Sequence, residues 1–441
     1  MPQQTQFDPS SILSSLFEKA QDAIFAMSSC IPCGPSASSL KLNGRNFQII
    51  KLLGEGGFSF VYLVKDESSG RLFALKKIRC SYGSESFREA MQEIEATKRF
   101  RSPFIIQIFD SCVTQDDPAS STLLGNLPGA DSDGPGGANA GGKVIYLFLP
   151  FYEKGNLQDA INAHLIRGTR FGEREILELF LGTCKAVKEM HTYRLPNVGA
   201  QRSRSSLGEH PGMVIPDRSE DEGQNLIGGQ EEDEEDQATG SYPPKPYMGA
   251  NGKGKGVDRS DQEPEIGQGS DQGEGGEMIP YAHRDIKPGN VMIADDGRTP
   301  ILMDFGSTIK ARVPIKSRRE AVAHQDMAAE RSSMPYRAPE LFDVKTDVEL
   351  TESVDIWSLG CTLFAMAYLH SPFETPATVE QGGSIALAVM NGSFKFPTDG
   401  TDPYSEALRD IIRKCIQVDS SQRPDIHQVI RLTEAALRGV S

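Results

Sequence analysis

His283-Arg284-Asp285-Ile286-Lys287-Pro288-Gly289-Asn290, followed by Met303-Asp304-Phe305-Gly306, is the stretch that decides the fold of this chain. Asp285 and Asn290 stand five residues apart, and Asp304 comes fourteen after Asn290, beside a Phe-Gly pair. The three side chains supply one base and two hard oxygen ligands. Mg2+ bound together with phosphates takes few protein oxygens and keeps several waters, so this set suits it. The bland alternative is a pair of turns with ordinary Asp caps. Both spacings occurring together favour the chemical reading.

A phosphate site also needs donors. Upstream, Leu53, Gly54, Glu55, Gly56, Gly57, Phe58, Ser59, Phe60 and Val61 form a glycine turn ahead of a strand. Glycines at 54, 56 and 57 let backbone amides approach phosphate oxygens closely. A plain Gly-rich hairpin would look the same. The turn is not a Walker loop, because no G-x-x-x-x-G-K-[ST] occurs. Lys76 follows in the strand Phe73-Ala74-Leu75-Lys76. A lysine there would pair with nucleotide phosphates and needs a carboxylate to hold it, although a Lys in such a strand is otherwise a surface residue. Glu93 in the following helix is the first candidate, with Glu89 and Glu95 as alternatives.

The rest of the chain frames these motifs. At 441 residues it is long enough for two or three domains on length alone. The net charge of −15 argues against nonspecific nucleic-acid binding. Eleven of those negative charges lie between Gly199 and Met278, where 18 Asp and Glu face 7 Lys and Arg. That segment has only Tyr242 and Tyr247 as aromatics, so it is expected to be disordered. A Gly-rich interruption at 115–142 is the second expected insertion. No apolar run reaches membrane-spanning length, the start lacks a secretory signal pattern, and seven sparse cysteines fit a reducing compartment.

From Phe47 the pattern is strand, through FQIIKLLGEGGFSFVYLVKD, GRLFALKKI, FIIQIFDSCV and KVIYLFLPF, with one helix over Ser84 to Phe100. After Gly155 it turns to helices. The expected class is α+β: a small antiparallel lobe with one helix (47–150) and a larger helical lobe (151–435). A tail at 1–46 precedes them and one at 436–441 follows.

On these motifs the chain resembles a eukaryotic protein kinase. The resemblance implies ATP and Mg2+ as cofactors and protein Ser/Thr hydroxyls as substrates. It casts Asp285 as the base, Asn290 and Asp304 as metal ligands, and Lys76 with Glu93 as the phosphate-placing pair. Leu149 falls at the gatekeeper and Pro150 to Tyr152 at the hinge, with Ala74 beside them. Ala338-Pro339-Glu340 matches the end of the activation segment, Arg423 the partner of Glu340, and Asp355 with Trp357 the helix under the catalytic loop. Arg284 would sense an anion on the activation segment, which includes Ser332 and Ser333. Lys287, two residues after the base, fits the serine/threonine class, as does the hydroxyl of Ser333.

Ser59 in the phosphate loop, the hinge Leu149-Pro150-Phe151, the run Gln325 to Arg331 and the run Met334 to Phe342 resemble the Numb-associated kinase family. Its myristoylated and palmitoylated branch and fungal vacuolar relatives are the nearest. That implies the cytoplasmic side of endomembranes, vacuole or Golgi, with a cytosolic pool. Pro2 replaces the glycine that myristoylation requires. Cys30 and Cys33 follow an apolar helical face carrying Ile12, Leu16, Phe17 and Ile24, which suggests S-acylation beside an interfacial helix. A redox or zinc C-x-x-C, or a helix docked on the small lobe with inert thiols, are the other readings. The rival function is a pseudokinase scaffold binding partners through the acidic insertion.

Overall fold

The computed structural model describes residues 39–56, 59–80, 84–115, 142–195, 276–374, 384–397 and 402–440. Cys30, Cys33, the helix expected before them, Gly57, Phe58 and residues 199–275 of the segment expected to be disordered lie outside the described residues. Among the described residues no helix is long and apolar enough to cross a membrane.

The sheet begins earlier than expected. β1 (Ser39–Leu42) and β2 (Arg45–Gly56) form a hairpin whose first strand and turn lie in what reads as the N-terminal tail. Asn43 and Gly44 turn it with φ of 48° and 75°, the left-handed pair that a two-residue hairpin loop needs. β3 (Ser59–Asp66), β4 (Leu72–Cys80), α1 (Ser84–Arg99), β5 (Asp110–Gln115) and β6 (Lys143–Pro150) complete the small lobe. The strands are antiparallel in the order β1-β2-β3-β4-β6-β5. Phe47, Phe73 and Phe148 pack on one face, ring centroids 4.7–6.3 Å apart.

The strand expected over Phe104 to Val113 is shorter. Ile106 N–H donates to the carbonyl of Leu302, and Leu302 N–H donates to that of Phe104, at 2.9 and 2.8 Å. These residues are thereby drawn into the large lobe, just ahead of Asp304.

The large lobe holds α2 (Leu157–Arg167), α3 (Glu173–His191), β7 (Tyr281–Ala282), β8 (Val291–Ile293), β9 (Pro300–Leu302), β10 (Ile309–Lys310), β11 (Val313–Ile315), α4 (Arg318–Arg331), β12 (Val348–Leu350), α5 (Ser353–Tyr368), α6 (Ile385–Met390), α7 (Glu406–Cys415) and α8 (Ile426–Gly439). α8 extends past 435, and Val440 accepts a hydrogen bond from Arg174, so almost all of the expected C-terminal tail belongs to the lobe. α5 buries 14 of its 16 residues. A helix apolar all round belongs in the middle of a lobe, and a Cβ on Gly360 would lie 2.6 Å from that of Cys415, so only glycine lets α7 approach.

The acidic segment enters and leaves at one point. Leu195 N–H donates to Glu277 O at 3.0 Å, Ile279 N–H donates to Tyr193 O at 2.8 Å, and Arg194 bridges Met278. Met278 is therefore part of the kinase-like unit, and the separate segment is 196–276. Because its ends already touch, replacing it by a turn of about five residues removes roughly four doublings of loop length, worth about 2 kcal/mol in favour of folding. The shortened protein is expected to melt no lower than the full chain and to keep its kcat within about threefold. A tenfold loss of kcat, about 1.4 kcal/mol, would make the segment part of the working structure.

Candidate active site

A cleft of about 530 Å3 opens between the lobes. Alternation along β3 turns Ser59 and Val61 into it. Phe60 faces the other way, stacking on Tyr62 at 6.3 Å beneath Arg79, so it leaves the expected site for a packing reason. Leu53, Gly54, Glu55, Ala74, Leu149, Pro150 and Tyr152 line the same cleft, while Gly56 ends β2 at its rim. Met292 and Met303 also line it and went unread in the sequence. Their only signal was position: two residues after Asn290 and one before Asp304.

Lys76 and Glu93 meet on the inner wall, Nζ to Oε1 at 2.5 Å. Each side chain is only 16–17% exposed, which removes most solvent screening. Burial works to lower the Lys76 pKa, but the carboxylates of Glu93 and Asp304 outweigh it and hold the ammonium above its ordinary value. Of the alternatives for this pairing, Glu89 instead pairs with Arg331 at the end of α4, and Glu95 is exposed on α1.

Asp304 lies across the cleft in the left-handed region, φ 66°. Burial would raise its pKa, yet Lys76, His283 and Lys287 together keep it below the ordinary carboxylate value. Phe305 turns under α1, stacked on Phe100 at 5.9 Å and edge-on to His283 at 5.2 Å. Burying Phe305 holds the Asp304 carboxylate in the cleft.

Asp285 sits in a closed network. Its Oδ1 accepts Ser333 N–H at 2.8 Å, and its Oδ2 accepts from Asn290 Nδ2 at 2.9 Å. Lys287 Nζ lies 2.9 Å from Oδ2 and donates to Ser333 Oγ at 2.6 Å. Asn290 Nδ2 also donates to Asp285 O at 2.8 Å. Its amide N–H groups are thus committed, and the amide oxygen is what Asn290 can offer a cation. With the Asp304 carboxylate this gives two hard oxygens, the donor set Mg2+ takes alongside phosphates and water.

The backbone beneath is held from α5. Asp355, fully buried, accepts His283 N–H and Arg284 N–H at 2.8 Å each, and faces His191 Nε2 at 3.0 Å. Arg284 is left-handed, φ 68°. Burial brings its pKa down to about 10, and its Nε and Nη1 have no partner among the described residues.

α4 was not foreseen. Its N-terminus carries a capping box, Ser317 with Glu320, a signal present in the sequence as S-x-x-E ahead of helix formers. The helix delivers Ser333 to the network, and Arg337 fixes the turn by donating to Ser332 O at 2.7 Å. Further on, Arg423 forks onto Glu340 at 2.7 and 2.8 Å.

A small antiparallel lobe over a helical lobe, with a Lys–Glu pair, a carboxylate just before a Phe-Gly pair and a base tied to a lysine, defines a protein kinase. The protein kinase domain matches residues 47–195 and 280–433, and the chain belongs to that family. It is 31% identical over 389 residues to serine/threonine-protein kinase ppk13 of Schizosaccharomyces pombe, covering 88% of this chain and 90% of that one. It is 31% identical over 415 residues to serine/threonine-protein kinase ENV7 of Saccharomyces cerevisiae, covering 92% and 96%. Human serine/threonine-protein kinase 16 is 27% identical over 403 residues, covering 91% and 94%. The protein is a serine/threonine-protein kinase, and kinase domains of this family use ATP and Mg2+.

Proposed function

We propose that the protein transfers the ATP γ-phosphoryl group to protein Ser/Thr hydroxyls with Asp285 as the base, serving membrane trafficking or vacuole and Golgi organisation. The observation that carries the catalytic reading is the network joining Asp285, Lys287, Asn290 and Ser333. Asp285 accepts the acceptor hydroxyl's proton, and Lys287 offsets negative charge on the transferring group. Lys76, set by Glu93, orients the α- and β-phosphates, and the cleft-lining residues Gly54, Glu55 and Ser59 lie beside them. The Pro150 carbonyl and Tyr152 N–H serve the adenine. Asn290 and Asp304 would hold Mg2+, which would supply positive charge to offset that of the phosphates. Incubation with ATP and a degenerate Ser/Thr/Tyr peptide library tests this. Phosphoserine and phosphothreonine products are expected. A pure protein that transfers no phosphate would favour the scaffold reading.

The branch within the family is that of the Numb-associated kinases. Its support is Ser59, the Leu149-Pro150-Phe151 hinge and the Gln325–Arg331 run. The location is the cytoplasmic face of vacuole or Golgi, held by acylation of Cys30 and Cys33. One acyl chain binds membranes only marginally, roughly 10⁴ M⁻¹ for myristate, whereas two hold stably. Cys30→Ser with Cys33→Ser is expected to move the kinase to the soluble fraction with its solution activity intact, and hydroxylamine treatment of the natural protein is expected to release it likewise. A double variant that stays on membranes would refute acylation.

A further inference from the structure

A second cavity, about 580 Å3, lies on the large lobe between the C-terminal half of α7 and the first turns of α8. It is comparable in size to the nucleotide cleft. Among the described residues no Asp or Glu lines it, although the chain as a whole carries a net charge of −15. Its cations are Lys414, Arg423 and Arg431. Arg423 is fully buried and forked onto Glu340, so it forms the wall rather than a contact. Arg431 is exposed and has no partner among the described residues. Lys414 touches Asp410 at 2.6 Å, but both side chains are 42–48% exposed, and such a pair is worth little in water.

Two carboxylates on the loop into α8, Asp419 and Asp425, are already engaged. Asp419 accepts Ser421 N–H and Oγ–H at 2.9 and 2.7 Å, and Asp425 caps α8 by accepting Gln428 N–H at 2.7 Å. Gln428 Oε1 in turn accepts Asp425 N–H at 2.9 Å, which leaves its amide N–H groups as donors at the cavity. Leu432 supplies an apolar wall. An ammonium, a guanidinium fork and amide donors around an apolar patch recognise carboxylates or phosphates carried on a chain with some apolar content.

The position narrows the occupant. Ser333 donates to the base Asp285, and seven residues later Glu340 holds the cavity wall through Arg423. Seven residues extend at most about 25 Å. A substrate segment of roughly ten residues therefore reaches from the acceptor hydroxyl to the cavity. We propose that this cavity is a docking site for an acidic segment of the protein substrate, lying about ten residues from the phosphorylated Ser or Thr. The proposal rests on the kinase reading. Tethering the substrate there raises its effective concentration at the base without touching the chemistry.

The test uses the full-length protein and three synthetic peptides. The parent is a serine acceptor sequence chosen from the library. The other two extend it by ten residues ending in four glutamates, one on each side. The parent alone reports on the kinase reading, and the difference between parent and extended peptides reports on the cavity. One extension is expected to lower KM at least about fivefold with kcat unchanged, and added salt should erode that gain. Lys414→Glu with Arg431→Glu should abolish the gain and leave the parent's kinetics as they were. Arg438→Glu, an exposed change of the same sign on α8 outside the cavity, should keep the gain. The proposal fails if neither extension lowers KM, if the gain survives in the double variant, or if Arg438→Glu removes it equally. It also fails if phosphatidylserine vesicles, rather than the peptide, bind the natural protein and lose the double variant.

Discussion

Asp304→Asn is expected to leave a folded protein whose phosphoryl transfer is at least about 10³-fold slower, roughly 4 kcal/mol of lost transition-state stabilisation. Asparagine is the right replacement because residue 304 is left-handed, φ 66°, a region asparagine tolerates and alanine does not. The variant keeps the side chain's size and removes only its charge. Lys76 retains Glu93 at 2.5 Å, so the inner wall of the cleft should survive, and Phe305 stays buried. What disappears is the negative charge on one of the two oxygen ligands available to Mg2+, the charge that faces Lys76, His283 and Lys287. The loss should therefore fall on kcat more than on the KM for ATP. Single-turnover transfer to a peptide, alongside a circular-dichroism melt, measures both parts. A variant that transfers phosphate within tenfold of the natural rate would remove Asp304 from the metal assignment.

The cleft was legible because its chemistry is local in sequence. Asp285, Lys287 and Asn290 fall within six residues, and Asp304 is fixed by its Phe-Gly neighbours. The Lys76–Glu93 pair was legible only as one choice among three carboxylates. Helical spacing puts Glu89 and Glu93 on the same side of α1, and Arg331, far along the chain, takes the first of them. Phe60 was misplaced because a strand's period of two sends neighbours to opposite faces, and the glycine loop read as one continuous surface. α4 was overlooked although Ser317 and Glu320 signal its start, because so few of its residues are buried that it lacks a clear apolar stripe. The hairpin at Asn43-Gly44 carried a strong short turn signal, Asn-Gly, and still read as tail, being next to residues of no clear pattern. The cavity on α7 and α8 could not be read at all. Lys414 and Arg431 look like any solvated helix charges until packing places them around one space.

Asp355→Asn is expected to cost about 3–5 kcal/mol of stability, the range for breaking a buried charged network, and to lower the melting temperature by on the order of 10 °C. The carboxylate accepts two backbone N–H groups at 2.8 Å, one on each oxygen, and faces His191 Nε2 at 3.0 Å. An asparagine turned either way points its NH2 at one of those N–H groups, so at least one bond becomes a repulsion between donors. The strained backbone of Arg284, φ 68°, is held by one of the two. Asp285 is the next residue, so its carboxylate should lose alignment with Ser333 and Lys287. Asp355 touches no substrate and acts through that backbone as a positioning residue. kcat should fall by roughly 10² while the KM for ATP, set by the cleft walls, moves little. A pH profile separates this role from general destabilisation. Burial pushes the Asp355 pKa up, but His191, His283 and the Arg284 amide outweigh it and hold it below 3.8. A depressed carboxylate contributes stability that is full above its unfolded value and lost as pH falls through its folded value. The natural protein should therefore lose stability more steeply than the variant as pH drops below about 3.8. Melts across that range, with kinetics at neutral pH, decide the matter. Parallel acid limbs, or a kcat that holds while stability falls, would mean Asp355 does not position the catalytic backbone.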